Sequence, residues 1–263
     1  MIELIICDMD GTLLDDEKNL PSGFWELEKR LNENNILLAI ASGRQYYNLA
    51  HLFKTIKDRC VFIAENGTLV MFQDECLYMN TLTKEDASLL VHIGKKIDDT
   101  DVIYCGLKSA YIENDNEELW EYASKYYKHL QLVKSLDDVN DDCLKITICD
   151  YKGSKDNSNT HFRHLEEDFK IAVSGKIWLD ITHKDANKGN AIQRIQKKFK
   201  ISFDKTMVFG DYLNDLEMMR NGKYSYAMKN AEPEIVAAAN FQTKYTNNES
   251  GVVHTIKEVI FNE

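Results

Sequence analysis

The stretch Leu4-Ile5-Ile6-Cys7-Asp8-Met9-Asp10-Gly11-Thr12-Leu13-Leu14 opens with apolar residues and stops at two acids spaced by one. A short, uninterrupted apolar run suits a strand buried on both faces, as in parallel sheets. Two more such runs follow, Ile36-Leu37-Leu38-Ala39-Ile40 and Val61-Phe62-Ile63-Ala64. Between them lie segments with helical spacing. Pro21-Ser22 opens the first, where Phe24, Leu27, Glu28 and Leu31 recur at three and four, and the second runs from Tyr46 to Ile56. This β-α-β-α-β order predicts an α/β fold, a parallel sheet with helices on both faces.

The pattern then changes. Leu69–Phe72 and Cys76–Met79, joined by Gln73-Asp74-Glu75, read as a hairpin. Thr83-Lys84-Glu85-Asp86 reads as a helix start, with Thr83 as cap. From there to His183 the sequence predicts helices at Lys84–Ile97, Glu117–His129 and Thr160–Phe169. Strands are expected at Val102–Cys105, Tyr111–Glu113, Lys145–Cys149, Ile171–Val173 and Trp178–Ile181. These strands alternate more than the first three, as in an open sheet with one covered face. The reading is an inserted second domain, residues 83–183, within a first domain made of residues 1–82 and 184–263. The first pattern returns with the stripe Ala191, Ile192, Ile195 and Phe199 and the buried strand Met207-Val208-Phe209. A helix at Leu213–Arg220, a strand at Tyr224–Met228 and helices at Pro233–Ala239 and Val252–Phe261 complete it.

Bulk properties narrow the function. The 32 Lys and Arg against 43 Asp and Glu give a net charge of −11. An acidic surface repels nucleic-acid phosphates and anionic lipid heads, so neither nucleic acid nor membrane is an expected partner. Nothing marks a protein partner either. The opening lacks the basic leader and long apolar core of a signal peptide, and no run approaches a membrane span, so a cytoplasmic location is expected. The cysteines Cys7, Cys60, Cys76, Cys105, Cys143 and Cys149 contain no C-x-x-C pair and read as reduced, packed thiols.

Ligands of an open parallel sheet bind outside the carboxyl ends of its strands. Four such ends here carry polar groups: Asp8-Met9-Asp10-Gly11-Thr12, Ser42-Gly43-Arg44, the Glu65-Asn66-Gly67 turn, and Gly210-Asp211 with Asn214-Asp215. If the backbone stays extended, Asp8 and Asp10 point the same way. Paired carboxylates repel, which favours a hard cation between them, and Asp211 and Asp215 could complete an oxygen shell for Mg²⁺. By itself D-x-D also serves metal sites of glycosyltransferases, and paired acids are often only turn residues. Ser42 and Gly43 before a helix form a phosphate cradle, or Ser42 simply caps the helix. Lys188 at a helix start opposes the helix dipole, which suggests an anion for it to meet.

In order and spacing, Asp8-x-Asp10-Gly11-Thr12-Leu13-Leu14, Ser42-Gly43-Arg44, Lys188-Gly189 and Gly210-Asp211-x-x-Asn214-Asp215 resemble the four motifs of the haloacid dehalogenase superfamily. The wording looks like the Cof-type, sugar-phosphatase-like branch, class IIB. The resemblance spans the chain and implies a Rossmann-like core with an inserted C2-type α/β cap that selects the substrate. It further implies a Mg²⁺-dependent phosphatase acting on a small phosphorylated metabolite. Asp8 would attack phosphorus, and Asp10 would protonate the leaving oxygen and then activate water. Lys188 would screen charge. Asp8, the backbone carbonyl of Asp10, and Asp211 would hold the metal, with Asp215 supporting. Ser42, Gly43 and Asn214 would hold the phosphoryl group, with Arg44 orienting the site or substrate. A phosphotransferase or mutase on the same scaffold shares all four motifs. A non-catalytic phosphometabolite-binding regulator is a third reading, against which Asp8, Asp10 and Lys188 argue.

Overall fold

The three apolar runs become neighbouring parallel strands, β1 (Leu4–Asp8), β2 (Leu37–Ala41) and β3 (Cys60–Ala64). The structure is a computed structural model and describes residues 1–263. Helix α1 (Phe24–Glu33) joins β1 to β2, and α2 (Tyr46–Leu52) joins β2 to β3. The expected hairpin is β4 (Leu69–Phe72) and β5 (Glu75–Met79), and β4 pairs antiparallel with β3.

The chain divides into two compact units, residues 1–78 with 187–263, and residues 79–186. The junctions therefore fall four residues before and three residues after the expected 83–183 span. The second unit contains α3 (Lys84–Gly94), β6 (Thr100–Gly106), β7 (Ala110–Ile112), α4 (Glu117–Tyr126) and β8 (Leu130–Leu132). β9 (Cys143–Asp150), α5 (Ser158–Phe162), β10 (Phe169–Gly175) and β11 (Trp178–His183) follow. Its six strands form one sheet in the order β10-β11-β9-β6-β7-β8. Ile146, Ile148, Leu179 and Ile181 on one face pack with Leu90 and Val91 of α3 and Phe162 of α5.

The first unit resumes with α6 (Lys188–Phe199), β12 (Thr206–Gly210), α7 (Leu216–Met219), β13 (Tyr224–Ala227), α8 (Pro233–Ala238), β14 (Phe241–Gln242) and α9 (Gly251–Ile256). Its sheet order is β14-β13-β12-β1-β2-β3-β4-β5. β1 thus lies between β12 and β2, with Leu4 opposite both Thr206 and Leu37. Leu4 and Ile6 pack on Ala191, Ile192 and Ile195 of α6 and on Met218 and Met219 of α7. The opposite face receives Phe62, which meets Phe53 at 6.3 Å between ring centroids, and Phe53 meets Phe24 of α1 at 5.9 Å. With both faces covered, β1 needs an unbroken apolar run, and all five of its residues are buried.

Several helices are shorter than their periodicity predicts. The expected helix Thr160–Phe169 ends early because Phe169, itself buried, opens β10 opposite His183. The sheet ladder prevails over the helical pattern there. The expected helix Leu213–Arg220 starts as a 3₁₀ turn, Leu213–Asp215, in which Asp215 Oδ2 accepts the N–H of Asp211 at 3.0 Å and of Tyr212 at 3.4 Å. The final helix widens into a π turn at Lys257–Phe261, where Arg30 bonds Glu263 and lies over the Phe261 ring. No helix is long and apolar enough to cross a membrane. All six cysteines are free thiols, and only Cys76 is exposed.

Candidate active site

The residues at the carboxyl ends of β1, β2, β3 and β12 meet at one edge of the sheet. Asp8 ends β1 and is 6% exposed. Lys188 opens α6, whose preceding residue, Asn187, caps it by accepting the Asn190 N–H at 2.8 Å. The lysine side chain is fully buried. Its ammonium donates to Asp8 Oδ1 and, at 2.6 Å, to Asp215 Oδ1. A buried ammonium so close to a helix N-terminus needs a carboxylate partner, and here it has two. Burial lowers its tendency to hold a proton, but Asp215 and Asp8 more than reverse this, so it stays charged.

Asp8, Asp211 and Asp215 bring carboxylate oxygens within 4.8 Å of one another. Burial first, and then the charge of Asp215, push the Asp8 carboxyl well above its ordinary range despite Lys188. Asp211 is raised to about 6, chiefly by burial, although the Thr12 hydroxyl bonds its Oδ1 at 2.7 Å and pulls the other way. Three acids here face one ammonium and are short of positive charge. A hard divalent cation with oxygen ligands answers that deficit, so the residues fit such an ion.

Asp10 departs from the expectation of two parallel carboxylates. The chain turns at Met9, with Leu13 and Leu14 both donating to Met9 O, at 3.1 and 2.8 Å. The Asp10 side chain therefore leaves the acidic cluster, and only its backbone remains a candidate metal donor. Its carboxylate meets Arg44 instead, Nη2 to Oδ1 at 2.5 Å and Nε to Oδ2 at 3.0 Å, and Lys18 Nζ at 3.0 Å. Burial works against ionisation, but the bonds from Arg44 and Lys18 win and hold this carboxyl below its usual value. Arg44, expected to orient the site or a phosphate, is engaged with Asp10.

The rest of the edge is polar and small. Ser42 is buried, and its hydroxyl accepts the Arg44 N–H at 3.2 Å. The helix start lies beyond it, since α2 begins at Tyr46 with Gln45 as its cap residue. A Cβ at Gly43 would come within 3.0 Å of Asn66 Nδ2, and Asn66 Oδ1 accepts from Asn214 Nδ2 at 3.1 Å. Ser42, Gly43, Asn66 and Asn214 are thus contiguous. Asn66 adopts the left-handed conformation, φ 54°, which asparagine tolerates better than most residues. Gly67 follows at φ 96°, where a Cβ would strike the backbone of Asn187 at 2.3 Å.

Sequence reasoning assigned no role to Thr12, Asn66 or Lys18. The first two lie inside quoted motifs, so their spacing was available as a signal; Lys18 carried none. Gly11 explains the close approach around Thr12. It has φ 84°, and a Cβ there would lie 2.3 Å from Asp211 Oδ2. Gly11→Ala is expected to destabilise the protein by about 1–3 kcal/mol, the range for a strained backbone position. Denaturant unfolding measures it, and an unchanged midpoint and slope would refute the clash.

The profile of the haloacid dehalogenase-like hydrolases matches residues 5–256. A 5-amino-6-(5-phospho-D-ribitylamino)uracil phosphatase of Escherichia coli (strain K12) is 30% identical over 267 residues, covering 100% of this chain and 97% of the relative. A crystal structure from Streptococcus mutans UA159 matches at TM-score 0.86 and 29% identity, over 99% of this chain and 100% of the other. A HAD subclass IIB sugar phosphatase matches at TM-score 0.81 over 97% of this chain and 98% of the other; at 22% identity the likeness is one of fold.

Proposed function

We propose that this chain, which belongs to the haloacid dehalogenase-like hydrolases and is a phosphoric monoester hydrolase, works through a phospho-aspartate on Asp8 with the help of Mg²⁺. The observation that carries the reading is the buried Asp8 facing Lys188, with Asp211 and Asp215 beside it. The substrate is a small phosphorylated metabolite, a sugar phosphate or similar phosphomonoester. The E. coli relative, named for a phosphorylated ribityl compound, supports that class. The acidic protein works in the cytoplasm. The unit of residues 79–186 carries none of these site residues, and we assign it the choice of substrate.

An Asp8 oxygen attacks phosphorus opposite the leaving oxygen. As the bond to the leaving group breaks, Asp10 gives that oxygen its proton. Asp10 then takes a proton from water, which attacks phosphorus, releases inorganic phosphate and restores Asp8. Lys188 offsets negative charge where two anions must meet, and Ser42, Gly43 and Asn214 donate to the phosphoryl oxygens. Such transfer is mostly positioning and electrostatic stabilisation. Asp8, the carbonyl of Asp10, and Asp211 would hold Mg²⁺, with Asp215 in support; the ion supplies charge cancellation between carboxylate and phosphate. The ionised Asp10 favoured by Arg44 and Lys18 is the form that activates water. A phosphate dianion beside it pushes its pKa upward, toward the protonated form the first half requires.

Chelation should abolish phosphate release from a panel of phosphorylated metabolites, Mg²⁺ should restore it, and Ca²⁺, with its larger and looser shell, should inhibit. A second readout needs no turnover. Asp211 has its pKa raised from 3.8 to about 6, so its folded state holds more protons than its unfolded state between those values. Its contribution to stability is present below pH 3.8 and is lost as pH rises through about 6. A bound cation compensates the ionised form, so Mg²⁺ should raise the melting temperature more at pH 7.5 than at pH 5. Full activity in excess EDTA, or equal thermal shifts at both pH values, would sink the metal assignment.

A further inference from the structure

The loop after β1 brings Lys18 to the site, and in the reaction above it enters only as a charge that favours the ionised Asp10. Lys18 Nζ lies 3.0 Å from Asp10 Oδ1, the oxygen that also takes Arg44 Nη2. Lys18 holds a left-handed backbone, φ 68°, which costs a side-chain-bearing residue roughly 1–2 kcal/mol. Its loop is nevertheless closed on itself. The Lys18 N–H donates to Asp15 O at 2.9 Å, and the Asn19 N–H to Asp15 Oδ1 at 2.8 Å.

The loop is also tied to a segment far away in sequence. Asp16 accepts from Asn247 Nδ2 at 3.0 Å and Asn248 Nδ2 at 2.9 Å, and its own N–H donates to Asn248 Oδ1 at 2.9 Å. Asn247 Nδ2 reaches Leu14 O as well, at 3.1 Å. An exposed lysine forming an isolated surface ion pair contributes about 0–1 kcal/mol. That return does not account for a strained residue on a loop anchored at both Asp15 and Asp16. Strain of this kind collects where geometry serves function.

We propose that Lys18 is a positioning residue for Asp10. Arg44 grips both carboxylate oxygens, Lys18 adds a second cation on Oδ1, and Asp16 with Asn247 and Asn248 holds the loop that presents Lys18. The Asp10 side chain is 37% exposed, so without this clamp it is free to turn away from the leaving oxygen. The inference rests on the reading of Asp10 as acid and base.

The test compares Lys18→Ala, Lys18→Arg and Asp16→Ala in the full chain on two esters of similar shape. Phenyl phosphate needs its leaving oxygen protonated; p-nitrophenyl phosphate needs this far less. The ratio kcat/KM reports steps up to departure of the leaving group, so it isolates the acid function of Asp10. General acid catalysis contributes about 10²–10⁴-fold, and a mispositioned acid forfeits part of it. Lys18→Ala should therefore lose about tenfold more kcat/KM on phenyl phosphate than on p-nitrophenyl phosphate. Lys18→Arg should remove most of that difference. Asp16→Ala should show a smaller version of it and add little in the double variant, since both act through one contact. Equal losses on both esters would mean a purely structural role, and no loss on either would mean no role; each overturns the proposal. Asp10→Asn is the reference. If it fails to separate the two esters, the acid assignment falls; if it separates them and Lys18→Ala does not, only the role of Lys18 falls.

Discussion

Asp8→Asn is expected to lower turnover by about 10⁴-fold or more, the scale on which removal of a nucleophile is felt, while the protein stays folded. The amide has nearly the shape of the carboxylate but is a very poor nucleophile toward phosphorus. It also relieves a buried acid whose carboxyl is pushed upward by burial and by Asp215. Lys188 keeps Asp215 as its partner. The melting temperature in EDTA should therefore be unchanged or higher. Acid quenching during turnover, followed by mass spectrometry, should find a phosphoryl group on Asp8 in the parent and none in the variant. More than a few per cent of the parent kcat, in protein purified free of host phosphatases, would end the assignment of Asp8 as nucleophile.

Lys188→Met should damage both activity and stability. The ammonium is fully buried between Asp8 and Asp215, and removing it leaves two neighbouring carboxylates with no cation between them. Breaking a buried ion pair from one side costs about 3–5 kcal/mol, because the remaining charge stays uncompensated. Methionine fills the space of the lysine stem, so the loss reflects charge and not a cavity. In metal-free protein the unfolding free energy should fall by roughly that amount. A preorganised group that stabilises charge in the transition state is worth about 10²–10³ in kcat, which sets the expected loss of turnover. Adding Asp215→Asn should recover part of the stability and none of the activity. A single variant that melts with the parent would refute the stabilising role of the ammonium, and one that keeps a tenth of the parent kcat would refute its role in turnover.

The two carboxylates at the first strand end illustrate where sequence reasoning stops. The apolar run Leu4–Cys7 is a local pattern, and it places Asp8 at a strand end whatever the rest of the chain does. The direction taken by Asp10 depends on the turn at Met9 and on Arg44, which lies 34 residues further along. Spacing of two predicts parallel side chains only while the backbone stays extended. The same limit applies to Leu213–Arg220, where a helical pattern gave way to a 3₁₀ turn because Asp215 bonds two backbone N–H groups.

From the sequence alone came the α/β class, most of the strands though not β8 or β14, the existence of an inserted unit, and the clustering of polar groups at strand ends. These follow from the period of apolar residues and from short spacings, which are properties of the chain within a few residues. Tertiary structure alone decided which charges meet. It set Lys188 between Asp8 and Asp215, turned Asp10 toward Arg44 and Lys18, bonded Thr12 to Asp211, and anchored Asp16 to Asn247 and Asn248. These are pairings of side chains separated by up to 232 residues in the chain. They depend on distances of a few ångströms that no pattern of residue types encodes, because electrostatic contact is set by where the folded backbone carries each group.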